Sequence, residues 1–173
     1  MAHITLILGG ARSGKSQHGE DLALGSGLDP VYIATAEGWD DEMRERIAAH
    51  QDRRHGQGWR DVEAPLDLVG AIADNAATDQ VLLVDCLTLW LSNLMHAEQD
   101  IPEASRFLRE ALAAAPSSVI LISNEVGLGI VPENAMARRF QDLTGRLHQD
   151  LAGDADTVLL MVAGLPVVVK AST

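Results

Sequence analysis

Residues 4–16 read ITLILGGARSGKS, an apolar run of strand length that passes through paired glycines into a lysine and a serine. Within it, Gly9-Gly10-Ala11-Arg12-Ser13-Gly14-Lys15-Ser16 fits the pattern G-x-x-x-x-G-K-[ST], which has chemical meaning only between a buried strand and a helix. Both flanks are suitable: ITLIL suits a central strand, and the residues up to about Leu24 suit a helix. The glycines let backbone N–H groups turn inward around phosphate oxygens, and the helix aims its positive end at them. Lys15 adds a point charge, and the Ser16 hydroxyl suits Mg²⁺. The competing reading, a glycine turn with a solvated lysine, gives no reason for the flanking elements.

The rest of the chain repeats the alternation. Short apolar runs at 31–34 (VYIA), 81–84 (VLLV), 118–122 (SVILI) and 157–163 (TVLLMVA) read as strands. Helices are expected from Asp40 to about Arg53 and over 66–77, 87–96, 102–114 and 135–151. Residues 59–63 suit a short strand, and the closing VVVK suits an edge strand. Continuous β-branched runs alternating with helices indicate an α/β fold with a mostly parallel sheet covered on both faces, because such strands bury both sides. At 173 residues and 47% apolar, with no linker, repeat or low-complexity tract, the chain is expected to form one domain over 1–173.

A formal net charge of −12 argues against nucleic-acid or anionic-membrane binding, which needs a basic footprint. A phosphate ligand must therefore be held locally. The single cysteine, Cys86, allows neither an intramolecular disulfide nor a cysteine zinc cluster. No basic leader precedes the first apolar run and no apolar stretch approaches membrane-spanning length, so a cytoplasmic protein without membrane insertion is expected.

Two further positions carry chemistry. Asp85 follows VLLV at the carboxyl end of a strand, the edge where open α/β sheets bind ligands. It suits a direct or water-mediated Mg²⁺ carboxylate, or else a cap for the helix that begins at Leu87. On the second helix, Arg46, His50 and Arg53 or Arg54 recur every three or four residues, so imidazole and guanidinium groups share a face. Neutral imidazole is a competent nucleophile near pH 7, and neighbouring cations stabilise charge on an attacked phosphorus. Spacing alone favours a solvated face. His3, His18, His55, His96 and His148 show no such grouping.

Taken in order, GGARSGKS at 9–16, YIATA at 32–36, DDEMRERIAAH at 40–50, VDCLTLWLSNL at 84–94, SNEVGLGIVPEN at 123–134, ARRFQDLTGRLHQ at 137–149 and VAGLP at 162–166 resemble the adenosylcobinamide kinase/adenosylcobinamide-phosphate guanylyltransferase family across nearly the whole chain. The phosphate loop is shared by many enzymes, whereas the ordered combination is specific. The resemblance implies a RecA-like P-loop NTPase fold, a homotrimer, and two reactions on a corrinoid. Adenosylcobinamide is phosphorylated, with GTP or ATP as substrates, and GMP is then transferred from GTP through a guanylyl-histidine.

Position by position, the resemblance makes His50 the nucleophile and Gly9, Gly10, Ala11, Arg12, Ser13, Gly14, Lys15 and Ser16 the triphosphate site, with Lys15 catalytic. It maps further nucleotide contacts to Ala34, Thr35, Ala36, Gln51, Asp52, Arg53, Arg54, Glu63 and Asp85, and Mg²⁺ to Ser16 and Asp85. Glu63 could accept guanine N–H donors. Ala49 stands where some relatives carry a second histidine, and RRHGQGW at 53–59 departs from the usual loop. Glu125 suits either Mg²⁺, an acceptor hydroxyl or a turn cap, while Arg139 and Arg146 fit substrate, a neighbouring subunit or solvent. Two other classes compete: a plain P-loop kinase without a covalent intermediate, and a nucleotide switch, which the lack of an N-K-x-D motif weakens.

Overall fold

The ITLIL run becomes β1 (Ile4–Gly9), whose interior side chains are buried on both faces, as a central parallel strand requires. The computed structural model describes residues 3–38 and 41–171, without the side chains of Glu42, Met43 and Arg46. Asp40, the expected start of the second helix, and the Arg46 side chain, expected beside His50, lie outside the described residues.

After β1 come α1 (Lys15–Gly25), β2 (Asp29–Ala34), α2 (Asp41–Arg54), β3 (Arg60–Glu63), α3 (Leu68–Asn75) and β4 (Gln80–Asp85). Then follow α4 (Leu87–His96), α5 (Ile101–Ala114), β5 (Ser118–Asn124), α6 (Ala135–Asp154), β6 (Thr157–Val162) and β7 (Leu165–Lys170). Among the described residues these strands form one seven-stranded sheet in the order β3-β2-β4-β5-β1-β6-β7. All pairings are parallel except the last, where β7 returns antiparallel along β6. The mostly parallel α/β sheet is therefore as the sequence indicated, including the edge strand made by VVVK.

The two faces carry separate cores. On one, Leu6, Ile33, Leu82, Val84 and Leu121 meet Leu68 and Ile72 of α3, Trp90 and Leu91 of α4, Leu108 of α5 and Leu147 and Leu151 of α6. On the other, Ile7, Tyr32, Leu83, Ile122 and Met161 meet Ala23 of α1. Capping fixes several helix starts. The Asp67 carboxylate accepts from Gly70 N–H, Asp100 from Glu103 N–H, and Asn134 Oδ1 from the N–H groups of Met136 and Ala137.

Register places the functional edge. Gly9 lies opposite Asn124, and Ala34 lies opposite both Asp85 and Glu63. The carboxyl ends of β3, β2, β4, β5 and β1 therefore open on one rim, the location where parallel sheets bind ligands.

Candidate nucleotide site and the helix beside it

The phosphate loop closes β1 and opens α1. Arg12 and Gly14 adopt positive φ, 56° and 91°, which turns the backbone so that N–H groups converge. Gly14 heads α1, and a Cβ there would lie 3.2 Å from Gly164 Cα in addition to its strained φ. The β6–β7 turn buttresses the loop at this point, with Gly164 N–H donating to the Ser13 carbonyl at 3.0 Å. Lys15, only 8% exposed, donates from Nζ to the Gly10 carbonyl at 2.9 Å. The Ser13 hydroxyl is buried without a hydrogen-bond partner.

Beside the loop opens a cavity of about 570 Å³. Lys15 and Ser16 line it from the loop, Ala34, Ala36, Asp85 and Asn124 from the strand rim, and Ile47, His50, Gln51 and Arg54 from α2. Asp61, Glu63 and Pro65 close the far side. Lys15, Ser16, Ala34, Ala36, His50, Gln51, Arg54, Glu63 and Asp85 thus meet in one space.

Residues 9–14 of the loop do not line it, nor do three of the contacts expected outside the loop. Thr35 is fully buried, and its hydroxyl is used within the fold, donating to the Cys86 carbonyl at 2.7 Å and accepting from Cys86 N–H at 2.8 Å. Asp52 is exposed on the outer side of α2, and Arg53 turns back to α1. The side chains expected to touch nucleotide at these positions therefore point elsewhere, because α2 presents only part of the 51–54 segment to the cavity.

Asp85 does not cap α4, whose N-cap position is Cys86. Its carboxylate accepts from the Tyr32 hydroxyl at 3.0 Å, which leaves a second oxygen on the cavity side. Burial, followed by the nearby Asp85 charge, holds the Tyr32 hydroxyl protonated far above its ordinary range. The same two causes push the Cys86 thiol up to about 11, so it is no nucleophile at neutral pH. Asn124 Nδ2 donates to Thr88 Oγ1 at 2.8 Å.

Arg54 is 4% exposed although it ends a polar helix. Its Nε and Nη2 donate to Asp61 Oδ1 at 3.3 and 3.1 Å, and its guanidinium carbon lies 3.4 Å from the Tyr32 ring centroid. Its Nη1 has no hydrogen bond, only Glu20 Oε1 at 3.9 Å.

His50 is half-buried, with Nδ1 3.4 Å from Arg53 Nη2. A guanidinium can only donate, so this contact calls for a lone pair on Nδ1 and a neutral ring. Desolvation first, and the Arg53 charge second, hold its pKa below the ordinary 6.5. The arrangement places an uncharged imidazole, with its Nδ1 lone pair turned to Arg53, within the same cavity as the phosphate-loop lysine. His55 is exposed, and His148 is occupied with Ser123 Oγ at 2.7 Å. Glu125 caps its own turn, accepting from the N–H groups of Gly127 and Leu128 at 2.6 and 3.1 Å, and Arg139 and Arg146 are exposed.

Sequence reasoning missed Tyr32, Asp61, Asn124 and Glu20. Tyr32 sits in an apolar strand run where it reads as core. Asn124 ends a strand whose apolar signal stops two residues earlier, and Glu20 and Asp61 acquire meaning only from arginines brought to them by folding.

A phosphate loop at the rim of this sheet defines a P-loop NTPase of the RecA-like class. The RadB recombinase matches in fold with a TM-score of 0.55 at 16% identity, over 91% of this chain and 73% of that one. The chain belongs to the cobinamide kinase / cobinamide phosphate guanyltransferase family, whose family model matches residues 5–169. It is 48% identical over 167 residues to the bifunctional adenosylcobalamin biosynthesis protein CobP of Pseudomonas aeruginosa, covering 95% of this chain and 96% of that protein. Over 180 residues it is 41% identical to the bifunctional adenosylcobalamin biosynthesis protein CobU of Salmonella typhimurium, covering 95% and 98%.

Proposed function

We propose that this chain, acting as a single unit, phosphorylates adenosylcobinamide and then converts the product to adenosylcobinamide-GDP through a guanylylated His50. The observation that carries this reading is the half-buried His50 in one cavity with Lys15, Ser16 and Asp85. In the first reaction a corrinoid hydroxyl takes the γ-phosphoryl group of GTP or ATP, and the nucleoside diphosphate leaves. Phosphoryl transfer of this kind depends chiefly on positioning and charge stabilisation, which the loop N–H groups and Lys15 supply.

In the second reaction a His50 ring nitrogen attacks the α-phosphorus of GTP, and the bond to the bridging oxygen breaks, releasing pyrophosphate. The phosphate of adenosylcobinamide-phosphate then attacks the same phosphorus. The P–N bond breaks, its electron pair returns to the imidazole, and a new P–O–P link remains. Two displacements replace one difficult transfer.

Ser16 and Asp85 supply hard oxygen ligands on one side of the cavity, a donor set that fits Mg²⁺ held mainly by phosphates and water. Among the described residues no group of three His, Cys, Asp or Glu could hold a metal. Bound there, Mg²⁺ would neutralise phosphate charge.

The chain is read as a cytoplasmic homotrimer. Among the described residues no helix is long and apolar enough to cross a membrane. Every residue of β7 is exposed, including Leu165, Val167, Val168 and Val169, and an uncovered apolar edge strand calls for a partner. Intact-protein mass spectrometry after incubation with GTP and Mg²⁺ tests the central step. An added GMP, mapped to His50, is expected. Unmodified protein with corrinoid phosphorylation intact would reduce the enzyme to a kinase.

A further inference from the structure

Helix α2, which carries His50, is not anchored in the usual way. Amphipathic helices are normally held by an apolar stripe pressed on the core. Among the described side chains of α2 only Arg54 is buried; Ile47 and His50 are half-buried and the others exposed. Nor is its backbone closely packed along any described element.

Charge takes the place of the apolar stripe. Glu20, on α1, is 1% exposed. Its Oε2 and Oε1 accept from Arg53 Nε at 3.1 Å and Arg53 Nη2 at 2.8 Å, a two-pronged bond, and Arg54 Nη1 stands 3.9 Å from Oε1. Arg53 Nη2 in turn reaches His50 Nδ1 at 3.4 Å. One buried carboxylate therefore gathers both arginines at the end of α2. Its own helix begins at Lys15, so Glu20 stands about 7.5 Å along the same rigid rod from the phosphate-binding lysine.

We propose that Glu20 is a positioning residue for guanylyl transfer, locking the end of α2 to the phosphate-loop helix through Arg53 and Arg54 and so setting His50 against the α-phosphorus of a nucleotide on that loop. The proposal rests on His50 being the nucleophile. In-line attack tolerates little misplacement, since about 1 Å costs on the order of a hundredfold in rate. Phosphorylation of the corrinoid needs the loop but not His50, so loosening α2 acts on one reaction selectively. Removing one partner of a buried ion pair leaves the other uncompensated, which makes Glu20 an effective release point.

Glu20→Gln keeps the shape and drops the charge. In single-turnover labelling at saturating GTP its self-guanylylation falls about 10- to 100-fold, while corrinoid phosphorylation and GTP affinity stay close to parental. Hydrogen exchange accelerates across 41–54 but not in β1, β4 or β5. Glu20→Asp, which retains the charge, recovers much of the labelling rate. If Glu20→Gln does not fold, Arg53→Lys, a half-exposed position that loses the two-pronged geometry, shows the same separation of activities. Parental labelling in a folded Glu20→Gln variant overturns the proposal, as does a parallel loss of both reactions. Absence of label from the parent protein would instead remove His50 as the nucleophile. The exchange data then still decide the anchor: acceleration confined to α2 sustains it, and unchanged protection refutes it.

Discussion

Replacing Lys15 by alanine separates the chemistry of the phosphate loop from its folding. In the structure the ammonium donates to a loop carbonyl, Gly10 O, at 2.9 Å. Losing that bond costs about 1 kcal/mol of stability, equivalent to a fall of about 2–4 °C in Tm for a domain of this size. The catalytic cost is larger. Lys15 is 8% exposed, so its charge acts on transferred phosphates with little competition from water. Removing one preorganised donor from developing charge costs about 3 kcal/mol, or 10²–10³ in rate. Both reactions use the triphosphate, so both should fall by this order while the protein remains folded. The assay pairs turnover of corrinoid phosphorylation and of GMP transfer with a thermal melt. A folded Lys15→Ala protein running both reactions at parental rates would refute the assignment of the loop.

His50→Ala should abolish protein labelling from α-phosphate-labelled GTP while corrinoid phosphorylation remains measurable; the parent's label should be acid-labile and alkali-stable, and His55→Ala should retain it. Because the His50 pKa is held below 6.5, the nucleophilic neutral form predominates at pH 6.5, and the acid limb of the kcat/KM profile for self-guanylylation should lie below that value. Arg53→Gln removes the second-largest cause of the depression and should move the limb upward; a limb above 6.5 in the parent would contradict the electrostatic picture. Val168→Glu, on the exposed face of β7, should leave a folded chain of lower mass in light scattering, whereas a parental mass would place the assembly surface elsewhere.

The parts legible in the sequence are those encoded by neighbours along the chain. ITLIL and VLLV carry their own burial pattern, and the phosphate loop is a backbone device whose glycines and lysine lie within eight residues. Strand ends were less visible because polar residues occupy them: β2 begins at Asp29 and Pro30, and β5 runs on through Ser123 and Asn124. The α2 face shows both the reach and the limit of helical spacing. Spacing put Arg46, His50 and either Arg53 or Arg54 on one face, and among the described side chains Arg53 reaches His50. It could not reveal that Arg53 turns to Glu20 while Arg54 is buried against Tyr32 and Asp61, since those partners arrive from α1, β2 and β3.

Charges of both signs line the cavity, which bears on how one space could serve two reactions. Lys15 and the loop N–H groups mark one end, and Glu63 lies at the end of β3, two strands beyond the β4 terminus that carries Asp85. On the proposed function, a nucleoside triphosphate would place its phosphates on the loop and its base toward Glu63. His50 and Arg54 enter between them from α2, where a cation stabilises charge building on the α-phosphorus. On the proposed function, the γ-phosphorus would lie farther toward the loop than the α-phosphorus. One nucleotide pose would then present the γ position to a hydroxyl from outside the protein and the α position to the imidazole. On this arrangement the choice between reactions is set by which acceptor occupies the cavity and by whether α2 is held down.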